Sequence, residues 1–272
     1  MNQAIIHQKT TLAARLEWLT SSESRYLFWE LVRANYRLND HNSILGVLWS
    51  LLSPLTMLLV LYFIFRDRFG QNIEGYIVYL MLGIVTVNLF STVTKQLMST
   101  FLTNKIAFRN VIMPKEIFIL AQATAHFAKF GIELAFCLLI ALLSGVLQWQ
   151  GLLLLWPLLI AFTVFVFGVS LILALAYSVV RDIEHLWTLG MRLLLFVTPV
   201  FYGLDVLSVP ARTAVYWLNP LTPFLIAFRG VIMGDKEYTS GVYFHAILLA
   251  ILAIVPAYAL FLRYETQAME RA

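Results

Sequence analysis

Four polar residues in an otherwise apolar run, Gln122, His126, Lys129 and Glu133, follow one another at steps of four, three and four. That spacing puts them on one face of a helix. Ionisable groups inside an apolar span usually face a bundle interior or a water-filled path. One reading is therefore a proton relay or a polar channel wall. The other is a local Lys129–Glu133 pair buried between helices, or a helix whose first turns stand clear of lipid. No other apolar run offers a matching acid. Arg192, also inside an apolar run, reads as a side chain that snorkels to the interface. Other chemistry is missing. No glycine is followed by lysine, so the chain lacks a P-loop for ATP. The five histidines are scattered, no His/Cys cluster has metal spacing, and no G-x-S-x-G occurs. The expectation is no catalytic residue and no metal site. The single cysteine, Cys137, allows no intrachain disulfide.

The elements that hold these residues follow from composition. The 272 residues are 61% hydrophobic and 12% charged, with mean hydropathy +0.82. Soluble domains run nearer half apolar and a quarter charged, so this is a polytopic membrane protein. The net charge of +4 is small and suggests no nucleic-acid partner. Six apolar runs are long enough to span: about 46–65, 76–94, 117–146, 152–180, 186–204 and 242–262. The expected fold is an all-α integral membrane protein of six transmembrane helices. Residues 1–45 form an N-terminal region, 46–262 the membrane domain and 263–272 a tail. The first 43 or so residues are polar or amphipathic, which argues against a cleaved signal peptide at the start. With the N-terminus inside, eleven Lys and Arg fall on the inner side and five on the outer. Both termini are therefore placed in the cytoplasm.

Three connecting segments stand out. Before the first span, Leu27, Leu31, Ala34 and Leu38 recur at helical spacing. They predict an amphipathic helix lying on the inner leaflet or packed on a soluble partner. Thr20 and Glu23 have capping-box spacing ahead of it. The inner loop 103–116, TNKIAFRNVIMPKE, is basic and reads as a positive-inside anchor or as a docking element for a cytoplasmic protein. The outer connection, about 205–241, is too long for a simple turn. Pro210 is placed to start a short helix running to Leu218. Asn219 and Pro220 break it, and Pro223 starts a second helix ending near Gly234. Each piece is near half a bilayer long. Broken backbone at membrane depth must be buried in protein or line a cavity. The segment Tyr216 to Gly230 thus predicts a re-entrant pair of half-helices, suited to a plug or gate. Among the abundant aromatics, Trp49, Tyr62, Phe63, Phe196 and Phe201 are candidates to line a sugar path, because pyranose rings stack on aromatic faces. The alternative for each is the interfacial belt.

The motifs, taken in order, resemble a known family. LGVLWSLLSPL (45–55) opens span one, MPKE (113–116) opens span three and Arg181-Asp182 follows span four. TPVFYGLDVL (198–207) closes span five, and NPLTP with Phe228-Arg229-Gly230 comes after it. Over nearly its whole length the chain is similar to transmembrane subunits of type-2 ABC polysaccharide exporters, which move O-antigen, capsule or teichoic acid.

The resemblance implies a homodimer in the bacterial inner membrane that binds two copies of a separate ATPase. That partner would hold ATP and Mg, leaving no cofactor in this chain. Lys105, Phe108, Arg109, Pro114 and Lys115 would form the loop that couples to the ATPase. Tyr202, Tyr216, Trp217, Asn219, Pro220, Pro223 and Arg229 would form the outer gate. Arg33, Arg37 and Arg181 are candidates for the pyrophosphate of a lipid-linked glycan, with positive-inside anchoring as the alternative. Two other functions stay open: an ABC exporter of a drug or small lipid, and a proton-coupled secondary transporter. The second would show internal repeats, and no convincing repeat is present.

Overall fold

Every regular element among the described residues is helical. The structure is a computed structural model describing residues 21–39, 48–71, 73–104, 115–235 and 239–271. In chain order the helices are α1 (Ser22–Asn39), α2 (Leu48–Phe65), α3 (Tyr76–Met98) and the single turn α4 (Thr100–Thr103). They continue with α5 (Lys115–Leu143), α6 (Leu152–Val179), α7 (Ile183–Val197), α8 (Val209–Leu218), α9 (Leu221–Met233) and α10 (Ser240–Arg271).

Four helices are long and apolar enough to cross a membrane: α3, α5, α6 with the turn before it, and α10. The pair α8–α9, bent by 97° at its break, passes the same test when taken together. Helix α2 has 18 residues and contains Pro54. The fifth apolar run was expected to continue to Leu204, but α7 stops at Val197 after 15 residues. Pro199 is the cause: a residue before proline is pushed out of the helical region. Thr198 is accordingly extended, at φ −71° and ψ 134°.

Helix α3 forms the centre of the bundle, with nearly all its residues from Tyr76 to Phe90 buried. Helices α6 and α10 cross closely at Gly168, where a Cβ would come within 2.8 Å of the Ala253 backbone. Small residues at such crossings let membrane helices approach, since packing and hydrogen bonds, not hydrophobicity, hold helices together in lipid.

Helix α1 packs along α5, with Val32 buried and Tyr26 and Trp29 exposed. Ser21 caps it, its hydroxyl accepting from the Ser24 N–H at 3.2 Å. Thr20, the first half of the expected capping box, lies outside the described residues.

The outer connection folds as two short helices, and the second starts at Leu221, ahead of the expected Pro223, because Asn219 and Pro220 already set its first turn. Pro210 sits in the first turn of α8, and Asn219 and Pro220 fill the break. Gly234 ends α9 in the left-handed conformation at φ 70°, which a residue without Cβ adopts at no steric cost. Helix α9 is buried without interruption from Leu221 to Ile232.

Candidate functional site

The segment Thr198-Pro199-Val200-Phe201-Tyr202 runs between α7 and a short 3-10 turn at Leu204–Val206. The Thr198 N–H still closes the last turn of α7 on Leu194 O at 2.8 Å, but the backbone beyond it leaves the helical hydrogen-bond pattern, and the segment is buried. A buried carbonyl without a partner costs free energy comparable to a lost hydrogen bond. Here four successive carbonyls each receive a side-chain donor. The Arg229 guanidinium donates to Pro199 O at 2.7 Å and to Val200 O at 2.8 Å. The Tyr76 hydroxyl donates to Phe201 O at 2.7 Å, and the Tyr79 hydroxyl to Tyr202 O at 2.9 Å. Two turns of α3 and one residue of α9 therefore hold an irregular crossing in a fixed shape.

Arg229 is fully buried. It also donates to the Tyr79 carbonyl at 3.1 and 3.3 Å, and its Cζ lies 3.2 Å from the centre of the Tyr79 ring. Gly83 makes room for it. A Cβ there would lie 2.8 Å from Val200 Cγ1 and 3.2 Å from Arg229 Nη2.

The break between α8 and α9 is tied to the same segment. Asn219, almost fully buried, donates from Nδ2 to Thr198 Oγ1 at 2.8 Å. Its Oδ1 accepts the Leu221 N–H at 3.0 Å, capping α9. Tyr202 closes the loop on α7, its hydroxyl donating to Val197 O at 3.0 Å. On the other side of the break, Tyr216 and Trp217 flank His245 of α10. The Tyr216 hydroxyl lies 3.0 Å from His245 Nδ1, and the Trp217 ring centre 4.9 Å from the imidazole. Of the residues read from sequence as a gate, Tyr202, Asn219, Pro223 and Arg229 are buried, Tyr216 and Pro220 half-buried, and Trp217 exposed.

An aromatic cluster lies beside the crossing. Phe65 stacks on Phe201 with centres 4.4 Å apart, and Phe69 reaches both Phe65 and Tyr202. Phe196 packs edge-on to Phe201 at 6.2 Å, and Tyr62 lies 6.2 Å from Tyr76. The structure thus brings together three of the aromatics read as a path: Tyr62, Phe196 and Phe201. Phe63 touches Tyr62 but is 76% exposed and points away. The Trp49 side chain lies outside what is described. Sequence reasoning missed Phe65 and Phe69. Their signal was there, three and seven residues after Tyr62, on nearly the same helix face.

The polar stripe of α5 joins helices. Thr100 donates to Gln122 Oε1 at 2.8 Å, and Lys129 Nζ lies 5.6 Å from the Tyr36 ring of α1. His126 and Glu133 are buried. Arg192 does not share this stripe. It lines a cleft between α2, α3 and α7 together with Lys95.

The three arginines proposed for pyrophosphate fall in different settings. Arg33 pairs with Glu30 at 2.8 Å on the surface of α1. Arg181 is exposed on the turn between α6 and α7. The Arg37 side chain lies outside the description, as do Lys105, Phe108, Arg109, Pro114 and the Lys115 side chain.

The fold and this clamped crossing define a multi-pass helical membrane protein. Comparison places it further: the family described as ABC-2 type transporter matches residues 26–233, and the chain belongs to that family. It is a permease subunit of an ABC transporter, a transport protein whose ATPase is a separate subunit. It is similar to the O-antigen export system permease protein RfbA of Klebsiella pneumoniae, 27% identical over 244 residues, covering 84% of this chain and 91% of that protein. It is also similar to a protein of the same name from Myxococcus xanthus, 24% identical over 214 residues, covering 76% of this chain and 80% of the other.

Proposed function

We propose that the chain is the membrane-spanning subunit of an ATP-driven exporter that carries a lipid-linked, O-antigen-like polysaccharide from the cytoplasm across the bacterial inner membrane. The observation that carries this is the likeness to O-antigen export permeases over most of both chains. The six spans would be α2, α3, α5, α6, α7 extended by the clamped segment, and α10, within residues 46–262. Residues 1–45 and 263–272 would lie in the cytoplasm, which puts both termini inside. The chain would work as a homodimer with two ATPase subunits, which bind ATP and Mg. Six helices are few to enclose a polymer-wide path, and a two-fold pair supplies the second wall.

The chemistry of the site supports a conduit that is opened and closed. Phe196, which is exposed, and Tyr62, which is half-buried, would offer ring faces on which pyranose units stack without a fixed register, with Phe65 and Phe201 stacked behind them. The α8–α9 pair, hinged at Asn219 and Pro220, would be the outer gate. Nucleotide binding in the partner would pull on the loop containing Lys105, Phe108, Arg109, Pro114 and Lys115, and through it shift the helices. Arg33, Arg37 and Arg181 would meet the pyrophosphate of the carrier as it arrives.

Depletion of the protein in cells tests the reading. Radiolabelled, lipid-linked polysaccharide is followed on each side of the inner membrane. Long glycan is expected to accumulate inside and vanish from the surface. Normal surface glycan would overturn the assignment and turn attention to small cargo or proton coupling.

A further inference from the structure

Lys95 and Arg192 reach into one cleft. Its volume is about 420 Å³, and Ser53, Asn88, Ser91 and Thr188 line it with them. Asn88, Ser91 and Lys95 follow at steps of three and four along α3, and Thr188 and Arg192 at a step of four along α7. Each set therefore lies on one helix face. Asn88 is the one exposed polar residue in a stretch of α3 that is otherwise buried from Val78 to Phe90.

Two contacts give the register of α3 and α7. The Trp187 indole N–H donates to Thr94 Oγ1 at 2.9 Å, and Gly83 faces Val200. The helices therefore run antiparallel, and Arg192 falls near the level of Asn88 and Ser91. Lys95 lies roughly 7 Å further along, by the 1.5 Å rise per residue. The two cations are stepped along the cleft.

No carboxylate lines the cleft among the described residues. Two cations on an apolar wall without a counter-charge are expensive inside a membrane, and a bound anion offsets that cost. The neutral lining residues offer an amide NH₂ and hydroxyls, which suit an oxyanion. A guanidinium matches two oxygens of one phosphoryl group, while an ammonium acts as a point charge for another. Stepped cations fit an anion with two charged groups, or one passed from the first to the second.

We infer that this cleft binds a phosphate or diphosphate anion, with Arg192 and Lys95 as its cationic contacts. Resting on the export reading above, the anion is the diphosphate headgroup of the lipid carrier, held while its chain stays in the bilayer.

The test uses the full transporter with its ATPase in phosphatidylcholine nanodiscs. Binding is measured for radiolabelled polyprenyl diphosphate, for the uncharged polyprenol of the same length and for free inorganic pyrophosphate. Polyprenyl diphosphate is expected to bind best. Arg192→Gln and Lys95→Gln are each expected to weaken it about tenfold, and the double variant more. Arg192→Lys, which keeps the charge but loses the two-oxygen fork, should fall between wild type and Arg192→Gln, and Arg263→Gln, a cation on the surface of α10, should leave binding unchanged. Both cleft cations are exposed, so these variants keep the fold, which gel filtration of the assembled complex checks. Equal binding by wild type and both Gln variants would overturn the site while leaving glycan export untouched. Equal binding of polyprenol would overturn anion recognition. Pyrophosphate binding as tight as the lipid's would assign the cleft to a soluble anion and overturn the headgroup role. Failure of the export reading itself would show separately, as normal surface glycan on depletion.

Discussion

The guanidinium carbon of Arg229 lies over the Tyr79 ring, 3.2 Å from its centre, and the same group donates to the Tyr79 carbonyl at 3.1 Å. One residue of α9 is thereby locked to one turn of α3 while its other donors hold Pro199 and Val200. Lysine cannot replace it. An ammonium has three donors and no plane, so it cannot stack and also reach three carbonyls. Arg229→Lys and Arg229→Met are each expected to cost about 3 kcal/mol or more, because buried acceptors lose their partners. A fall in Tm of more than about 5 °C in detergent checks this. An unchanged Tm would mean the clamp carries no stability.

Asn219 makes two bonds that alanine cannot, one to Thr198 and one to the first turn of α9. Asn219→Ala is expected to cost about 1–2 kcal/mol and to raise hydrogen exchange at Leu221 and Thr222. Asn219→Asp keeps the cap, and the Thr198 hydroxyl can turn to donate to it. Its loss should be the smaller. Exchange at α9 that is equal in all three proteins would rule out Asn219 as the fastener of the hinge.

Glycines separate close contact from open space. A Cβ on Gly151 would fall 1.8 Å from the Val231 carbonyl oxygen, so Gly151→Ala must push α9 off the start of α6. At Gly83 the nearest atom is a Val200 methyl at 2.8 Å, followed by Val200 Cα at 3.1 Å, and a smaller shift suffices. Gly131, in the middle of α5, has nothing within 4 Å. Gly131→Ala is expected to stabilise by about 0.5–1 kcal/mol through helix propensity. Thermal unfolding of the three variants should give Gly151→Ala the largest loss, Gly83→Ala less, and Gly131→Ala a gain. Any other order would contradict the packing described.

Much of this architecture was legible in the sequence, for physical reasons that differ along the chain. The long apolar runs became helices because length and composition leave little else for backbone in lipid. The α8–α9 break was readable because Asn219 and Pro220 carry local backbone preferences, and the end of α9 because Gly234 does. Val197 as the end of α7 was also readable, from Pro199, but the apolar run continues past it and hid the stop. The clamp was not readable. Arg229 finds its carbonyl partners 29, 30 and 150 residues away, and no local pattern encodes such distances. Arg229 and Arg192 look alike in sequence, one arginine each in apolar surroundings. Packing buries the first against carbonyls and opens the second onto a cleft. The meeting of Phe65 with Phe201 depends in the same way on how α2 approaches α7.

The stripe on α5 gives the sharpest functional contrast. Glu133 is buried and lies one turn from Lys129, which itself faces the Tyr36 ring. A proton-coupled transporter would need the Glu133 carboxyl to gain and lose a proton in each cycle. An ATP-driven exporter needs only a polar group that keeps α5 seated against its neighbours. Glutamine preserves the shape and one acceptor oxygen but carries no titratable proton. Glu133→Gln is therefore expected to leave glycan export within about twofold of wild type, a barrier change below 1 kcal/mol, with the dependence of rate on external pH unaltered. Export is measured per molecule of transporter in the membrane, so that a change in abundance is not read as a change in rate. A tenfold loss together with a flattened pH profile would make the carboxyl part of the transport cycle and return the proton-coupled reading.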